Sequence, residues 1–522
     1  MKKIWITGLR SLVDTDVVEV KPINILVGTN SSGKSTFLRT FPLLRQSVEK
    51  RTRGPILWNG NYVDFGSYSN ALHKDKNNKH DCKNIKLSFE FDYKQRVGFR
   101  KNKEKEIAIS IEISSTNDKI SCYTSKFHIT HDDHTISFNL DKDGNLLEID
   151  SNRLNWELND DDLKMVISDT NTIIPIIMSN DYRLQFAPDD ITRNKNLSTI
   201  RNLRQQITTI IEKYTGSKSE EKVRRIAGYC IGRLRSDQEK LIDFRAISST
   251  KKWLENTNKW TLEDDEFLYF SGLCDLYYIL THTYEIDNQL TQTIKNVRYI
   301  APLRASTERY YRYQDLSIDE LDHRGENIAM FITSIPRSWR KKLDSWTEEH
   351  YGFTIKDKRS AGHINIQLQY GDGEISDNIA DMGFGFSQVL PIIIQLWSVA
   401  SGYEQTLKRD PIYNSNSPYI FAIEQPELHL HPRMQANLAT IFNNAVQLGK
   451  DNNISIKLII ETHSESLISK FGDLIAKENL KEQDIQVMLF EQNRHERVTD
   501  IKYSDFNDDG ILQDWPTGFF SY

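Results

Sequence analysis

The spacing of hydrophobic residues changes several times along the chain. Residues 1 to about 48 hold two apolar, β-rich segments, "KKIWITGL" and "INILVG", then a polar loop and a segment with helical spacing. From about 55 to 148 the pattern is β-like, and from roughly 151 to 292 apolar residues recur every three to four positions. Strand character returns at 296–302, after which strands and helices alternate. This pattern predicts an α/β fold interrupted by a mainly helical insertion.

The polar loop, "GTNSSGKS" at 28–35, has the spacing GxxxxGK[ST] between a strand and a helix. Gly28 and Gly33 let the backbone turn its N–H groups towards phosphates, and the helix adds the positive end of its dipole. Lys34 would reach the β- and γ-phosphates, and the Ser35 hydroxyl would bind Mg²⁺. The residues predicted to contact the nucleotide in this loop are Gly28, Asn30, Ser32, Gly33, Lys34, Ser35 and Thr36, and the loop alone would fit a kinase, a GTPase, a helicase or a transporter-type ATPase.

Two later apolar segments end in polar groups that fit the same chemistry. "YIFAIEQPE" delivers Glu424, a predicted Mg²⁺ ligand beside Ser35, and "IKLIIETHSE" places His463 just past a second apolar strand. His463 would sense the γ-phosphate or the attacking water, or would form a structural hydrogen bond at the end of its strand. Gln425 stands where many ATPases carry a second acid, and glutamine positions water but accepts no proton at neutral pH. Glu427 is therefore the candidate base, and slow hydrolysis is predicted.

A glycine-rich turn, "IADMGFGFSQVLP" at 379–391, leads into an apolar helix. Its order in the chain, before the acid-ended strand and the histidine-ended strand, resembles that of the ABC-type ATPases. The segments "IEQPELHLHP", "ETHSESL", "GFGFSQVLP" and "ILWNGNYVDFGS" look like one branch of soluble prokaryotic, OLD-like AAA/ABC-type ATPases. The ending "DDGILQDWPTGFF" looks like the DUF3696 module of that branch. These motifs cover both ends of the chain, whereas 70–295 carries little resemblance.

The resemblance implies ATP and Mg²⁺ as cofactors and a head-to-tail dimer. In that dimer Gly383, Gly385 and Ser387 would contact the γ-phosphate of a nucleotide bound by the phosphate loop of the partner chain. The branch includes the ATPase subunits of Septu-type and retron-associated anti-phage systems, which implies a separate HNH nuclease as the effector. The expected head is an ABC-type P-loop ATPase in three segments: an N-terminal part (1–150), a helical insertion (151–292) and a C-terminal part (293–522).

Composition limits the function classes. The net charge of −6 favours no general affinity for nucleic acid, and four widely spaced cysteines suit a reducing cytoplasm rather than a zinc site. No apolar run approaches the roughly 18 residues of a membrane helix, so no membrane-spanning half of a transporter is predicted in this chain. The DUF3696-like ending argues against a transporter motor, so no membrane partner is expected. Only 59 residues follow His463, too few for the Toprim nuclease domain of OLD-family proteins. The chain is therefore predicted not to be a nuclease itself.

The insertion carries a local positive charge. Residues 201–260 hold 14 Lys and Arg against 7 Asp and Glu. This segment either binds a nucleic acid or an acidic partner, or is a solvated helix surface. Two functions stay open at this point: an ATP-binding regulator or scaffold of a separate effector, and a DNA repair or recombination ATPase of the Rad50 or RecF kind. The second predicts hydrolysis that DNA stimulates.

Overall fold

A computed structural model describes most of the chain. The described residues are 1–52, 54–74, 82–97, 101–116, 121–154, 163–166, 172–179, 198–217, 219–247, 249–302, 304, 308–314, 318–360, 362–371, 376–382, 384–407, 417–493 and 496–513. The α-helices are α1 (Lys34–Glu49), α2 (Tyr68–Ala71), α3 (Ser198–Thr215), α4 (Glu220–Ile231), α5 (Asp237–Ala246), α6 (Lys251–Thr257), α7 (Asp265–Lys295), α8 (Ile328–Ser334), α9 (Arg337–Tyr351), α10 (Phe384–Ala400), α11 (Tyr403–Leu407), α12 (Pro432–Asp451) and α13 (Glu465–Ala476). The strands are β1 (Lys3–Leu9), β2 (Leu12–Asp14), β3 (Val18–Glu19), β4 (Ile23–Gly28), β5 (Ile85–Val97), β6 (Lys101–Ser115), β7 (Cys122–His131), β8 (His134–Leu140), β9 (Leu146–Ser151), β10 (Leu163–Val166), β11 (Ile176–Ser179), β12 (Val297–Ile300), β13 (Tyr311–Arg312), β14 (Phe353–Ser360), β15 (His363–Tyr370), β16 (Ser376–Asn378), β17 (Tyr419–Glu424), β18 (Ile456–Glu461), β19 (Ile485–Asn493) and β20 (Val498–Ser504).

The chain forms two units that interleave along the sequence. The first unit comprises 1–19, 46–59 and 64–291, and the second comprises 20–45, 60–63 and 292–522. Strand β1 belongs to the first unit because it pairs with β5, whereas the phosphate loop belongs to the second unit. The units therefore group the chain differently from the predicted segments 1–150, 151–292 and 293–522, which stay a prediction.

The first unit contains a large antiparallel sheet and the helices α2 to α6, with most of α7. The sheet has the strand order β2-β1-β5-β6-β7-β8-β9, and β3 pairs with β1. Side chains of β5 such as Ile85, Leu87 and Phe89 are buried at every second position, as expected for a strand with one face towards a core. Helices α3 and α4 bury one apolar side each, so the periodicity seen in the sequence reflects amphipathic helices.

A buried charge cluster ties two helices of the first unit to its sheet. Lys240 of α5 donates to Asp275 of α7 over 2.6 Å and to Ser271 over 2.8 Å. His134 of β8 also contacts the Asp275 carboxylate, at 3.1 Å. Burial alone would raise the pKa of Asp275, but Lys240 and His134 hold that pKa below its usual range. These charged and polar groups pair with one another, so we infer that the cluster has a structural role.

The second unit is built on a six-stranded mixed sheet. Its strand order is β12-β17-β18-β4-β19-β20, with the first five strands parallel and β20 antiparallel to β19. Every residue of β4 and of β17 is buried, which is typical of parallel strands covered on both faces. The predicted fold class, an α/β fold with a mixed sheet flanked by helices, is confirmed, whereas the mainly helical insertion at 151–292 stays a prediction.

The core of the second unit joins this sheet to α10, α12 and α13 and to a smaller sheet of β13 to β16. Helix α10 is apolar over most of its length, and Trp397 on it is 1% exposed. The apolar run "VLPIIIQLW" therefore forms a buried helix of a globular core. Among the described helices, none is both long enough and apolar enough to cross a bilayer.

Candidate functional site

The phosphate loop joins the end of β4 to the start of α1. Gly28 has φ +148°, and a Cβ at this position would lie 2.3 Å from the carbonyl oxygen of Phe490 on β19. Only glycine fits there, because the neighbouring strand occupies the space of a side chain. Gly33, just before α1, has φ +99°. The two glycines of the motif are thus explained by backbone conformation and by close packing.

Lys34 lies under the loop and is only 2% exposed. Its ammonium donates to the carbonyl oxygens of Gly28 and Thr29, each over 2.8 Å, and burial lowers its pKa. Asn30 is exposed at the tip of the loop, whereas Ser32 is buried. The Ser32 carbonyl accepts a hydrogen bond of 2.9 Å from the Thr499 hydroxyl, which fixes the loop to β20. The lysine is therefore held inside a preformed loop.

The two acid-ended strands lie side by side. Glu424 ends β17 and Glu461 ends β18, and the two residues are direct neighbours in the parallel pairing. The Ser35 hydroxyl donates to Oε1 of Glu461 over 2.9 Å, while Oε2 of Glu461 has no hydrogen-bond partner among the described residues. Burial raises the pKa of Glu461 to about 7. The negative charge of Glu424 also raises this pKa, whereas the hydrogen bond from Ser35 lowers it. The predicted Mg²⁺-binding hydroxyl thus lies against Glu461.

Glu424 is held by other groups. Arg39 donates through Nε to Oε2 of Glu424 over 2.9 Å and through Nη2 to Oε1. The Tyr299 hydroxyl of β12 donates to Oε2 over 2.8 Å. Arg39 follows Ser35 by one helical turn, so the two side chains share one face of α1 and reach the ends of neighbouring strands. The carboxylate predicted to bind Mg²⁺ is therefore paired with a guanidinium in this structure.

The segment after Glu424 turns back along the end of β18. Gln425 has φ +43°, an uncommon value for a residue with a side chain, and its N–H donates to the Glu461 carbonyl over 2.9 Å. Oε1 of Glu427 accepts the backbone N–H of His463 over 2.6 Å, and Oε2 of Glu427 has no partner among the described residues. Burial raises the pKa of Glu427. Glu427 therefore anchors the two loops, whatever its part in hydrolysis.

His463 is half-buried near the phosphate-loop lysine. Burial and then the positive charge of Lys34 lower its pKa to about 4. The imidazole is therefore neutral at physiological pH, and can donate one hydrogen bond and accept another. The electrostatic coupling to Lys34 places His463 in the same cluster as the loop, which is where the order of motifs predicts it.

Arg304 supports the segment that follows Glu424. Its guanidinium donates to the carbonyls of Ala301 and Pro426 over 3.2 and 3.0 Å, and burial lowers its pKa to about 10. The Gln388 amide donates to the Arg304 carbonyl at 3.5 Å. These contacts connect the end of β12, the turn after β17 and the start of α10.

The glycine-rich turn is only partly described. Gly383 lies outside the described residues, and Gly385 lies in the first turn of α10, where an added Cβ would meet Leu430 Cδ2 at 3.3 Å. Ser387 is 2% exposed, so its hydroxyl is buried within its own chain. Gly385 and Phe386, in the first turn of α10, are half-buried and therefore lie nearer the surface than Ser387.

The basic residues of 201–260 do not form one surface. Arg235 is buried and donates to the carbonyls of Cys230 and Tyr229, and with Arg233 it pairs with Asp243 over 2.7 Å. Arg224 and Arg225 are exposed on α4. Part of the local charge is therefore structural, and a nucleic-acid surface would depend on the exposed remainder.

Three residues of the site were not predicted. Arg39, Tyr299 and Glu461 all contact predicted site residues. Glu461 carries the same signal as Glu424, because "IKLIIE" is also an apolar strand that ends in an acid. Among the described residues, no group of three or more His, Cys, Asp or Glu could hold a metal ion. A metal here would be shared between protein oxygens and phosphate oxygens.

A glycine-rich loop, a buried lysine and two acid-ended strands at one sheet edge define a P-loop nucleotide-binding protein. The chain belongs to the AAA ATPase domain family, whose model matches residues 1–468. It is therefore a P-loop ATPase, and the predicted resemblance to AAA-type ATPases is confirmed. The OLD-like, DUF3696 and Septu-type assignments stay predictions.

No curated protein matches the chain. Among solved structures, it is similar to an SMC head domain from Thermotoga maritima, with 9% identity, coverage of 96% of this chain and 98% of that one, and a TM-score of 0.36. It is also similar to an Smc head bound to the C-winged helix domain of ScpA, with 11% identity, 96% coverage of each chain and a TM-score of 0.35. A third is the recombination mediator RecF, with 10% identity, coverage of 96% and 97%, and a TM-score of 0.27. At these TM-scores, the likenesses carry no further conclusion.

Proposed function

We propose that the chain binds ATP with Mg²⁺, dimerises head to tail around two nucleotides and hydrolyses them slowly. Occupancy of the site would control a separate effector in the cytoplasm, and the resemblance to Septu-type systems suggests an HNH nuclease in anti-phage defence. The observation that carries the ATP part is the convergence of Lys34, Ser35 and His463 with two strand-end carboxylates at one sheet edge.

Each group has a physical role in this proposal. Lys34 exchanges its two carbonyl partners for phosphate oxygens, which are stronger acceptors because they are charged. Ser35 and a neighbouring carboxylate, Glu424 or Glu461, would hold Mg²⁺, which would neutralise phosphate charge. Neutral His463 donates a hydrogen bond to the γ-phosphate or to water. The loop N–H groups at the start of α1 complete the anion site.

The dimer would form through the N-terminal end of α10. A Gly385→Glu variant adds a negative charge to this helix end, which should repel the partner's γ-phosphate, so the dissociation constant of the ATP-bound dimer should rise at least about tenfold. ATP binding by the monomer should be retained, because the phosphate loop is untouched. Mass photometry with ATP and Mg²⁺ measures the dimer fraction.

Gly385→Ala is the matched control for this dimer prediction. A Cβ at Gly385 meets Leu430 Cδ2 at 3.3 Å, the end of a flexible side chain, so alanine should be tolerated and should dimerise. A wild-type chain that stays monomeric with ATP and Mg²⁺ would contradict the dimer. Equal dimerisation of Gly385→Glu would remove this turn from the interface.

The hydrolysis step can be tested at the two positions after Glu424. Glu427→Gln should lower turnover at least about tenfold if the carboxylate accepts the proton of water, since general base catalysis contributes about 10²–10⁴-fold. The Gln side chain can still accept the His463 N–H, so thermal stability should change little. Gln425→Glu should give equal or faster turnover. Steady-state phosphate release measures both, and unchanged turnover in Glu427→Gln would limit that residue to its anchoring role.

The repair or recombination alternative predicts a different response. In that case DNA should stimulate hydrolysis, with an effect that falls steeply as salt rises. The regulator proposal predicts hydrolysis that is insensitive to DNA alone. A gene for an HNH nuclease or a reverse transcriptase beside this one would support the defence setting.

A further inference from the structure

The carboxylates at the ends of β17 and β18 differ in their contacts. Both oxygens of Glu424 accept hydrogen bonds, from the Arg39 guanidinium and the Tyr299 hydroxyl. One oxygen of Glu461 accepts the Ser35 hydroxyl, and the other has no hydrogen-bond partner among the described residues. Glu424 is therefore satisfied by protein groups, whereas Glu461 is not.

An unpartnered, buried carboxylate oxygen is costly unless a ligand satisfies it. Glu461 is 2% exposed, so bulk water satisfies it poorly. A bound divalent cation would supply the missing interaction. The Ser35 hydroxyl, which the phosphate-loop pattern assigns to Mg²⁺, is 2.9 Å from the other oxygen of the same carboxylate.

We infer that Glu461, together with Ser35, is the protein's Mg²⁺-binding carboxylate, and that Glu424 is a positioning residue held by Arg39 and Tyr299. This inference rests on the proposed ATP-binding function and names the metal ligands of that site. It assigns to the end of β18 a role that the order of motifs assigns to the end of β17.

The ligand chemistry is consistent with this assignment. Mg²⁺ takes hard oxygen ligands in near-octahedral geometry, commonly one or two carboxylates with phosphate oxygens and waters. Ser35 and Glu461 supply one hydroxyl and one carboxylate that already lie together, and ATP would supply phosphate oxygens. Direct binding at Glu424 would first have to displace a bidentate guanidinium, which is among the strongest carboxylate partners in proteins.

Arg39 gives Glu424 a separate function. The pair joins α1 to the end of β17, and the Tyr299 hydroxyl adds β12 to the same cluster. The backbone turn that follows Glu424 carries Gln425 and Glu427. Holding Glu424 therefore positions the segment that approaches His463.

The test compares Glu461→Gln with Glu424→Gln by measuring ATP affinity in EDTA and in Mg²⁺. Both variants remove one charge and keep the size of the side chain. In EDTA, Glu461→Gln should bind ATP at least as well as the wild type. The gain in ATP affinity on adding Mg²⁺ should be at least about tenfold smaller than in the wild type, since even changes to residues outside the metal's direct ligands lower metal affinity by about 10–100-fold. Glu424→Gln should keep most of that metal-dependent gain.

Mn²⁺ provides a readout that is independent of turnover. With ATP and limiting Mn²⁺, electron paramagnetic resonance should show bound Mn²⁺ for the wild type and Glu424→Gln, and mainly Mn²⁺ not held by protein for Glu461→Gln. Circular dichroism verifies that each variant is folded.

Each outcome has one meaning. A metal-dependent gain retained in Glu461→Gln, or lost only in Glu424→Gln, would overturn the inference while leaving the ATP site intact. A gain lost in both variants would contradict the positioning role of Glu424. A wild-type chain without Mg²⁺-dependent ATP binding would overturn the proposed function, and the inference with it.

Discussion

A Lys34→Ala variant is expected to lose most of its affinity for ATP while remaining folded. The ammonium is buried beneath the loop, where it donates to the Gly28 carbonyl, and it is the predicted charged partner of the phosphates. Removing one partner of a buried, charged hydrogen bond costs about 2–5 kcal/mol, which corresponds to about 30- to 4000-fold in Kd. Equilibrium titration with a fluorescent ATP analogue, in the presence of Mg²⁺, measures this loss.

Lys457→Ala is the matched control for Lys34→Ala. The Lys457 ammonium also donates to a main-chain carbonyl, that of Val20, but Lys457 lies near the start of β18, away from the strand ends that carry the site. Its ATP affinity should stay close to that of the wild type. An equal loss in both variants would indicate a general effect on the sheet, and full affinity in Lys34→Ala would contradict the predicted phosphate contact.

An Arg298→Met variant is expected to lose about 3–5 kcal/mol of unfolding free energy. Arg298 of β12 is fully buried and pairs with Glu404 of α11, also buried, and with Glu320 at 3.3 Å. Burial would lower the pKa of Arg298, but these carboxylates raise it, so the guanidinium stays charged. Its removal takes the Arg298 guanidinium away from the buried Glu404 carboxylate. Urea unfolding followed by circular dichroism measures the change.

A double variant distinguishes the cost of leaving the Glu404 charge buried from the loss of the Arg298–Glu404 interaction itself. Arg298→Met with Glu404→Leu replaces the pair by apolar groups, and should recover much of the lost stability because neither charge of that pair remains buried. Glu320 keeps a partner in this variant, since Arg45 donates to both of its oxygens over 2.7 and 2.8 Å. A single-variant loss below about 1 kcal/mol, or a double variant no better than the single, would contradict this account.

Much of the second unit follows from local sequence patterns. The apolar strands "INILVG", "YIFAIE" and "IKLIIE" are fully or almost fully buried, and they lie together in one parallel sheet. Because parallel strands align their carboxyl ends, residues that follow each strand meet at one edge. Lys34, Glu424 and His463 could be placed in one site for that reason.

The contacts within the site could not be predicted in the same way. The Arg39–Glu424 pair joins residues far apart in the chain, and an arginine within a helix pattern gives no sign of its partner. Glu461 ends its strand as Glu424 does, but the order of the motifs assigns a role to His463, two residues later, and none to Glu461. The division of the chain into two units could not be predicted from the sequence either, because the pairing of β1 with β5 is set by tertiary structure.

The central claim is that Mg²⁺ and ATP bind at the ends of β4, β17 and β18. Calorimetric titration of ATP into the wild-type chain, with Mg²⁺ and separately with EDTA, tests this claim most directly. The account predicts saturable binding of one ATP per chain, and tighter binding with Mg²⁺ than with EDTA. Folded protein that shows no saturable binding in either condition, even at millimolar ATP, would contradict it.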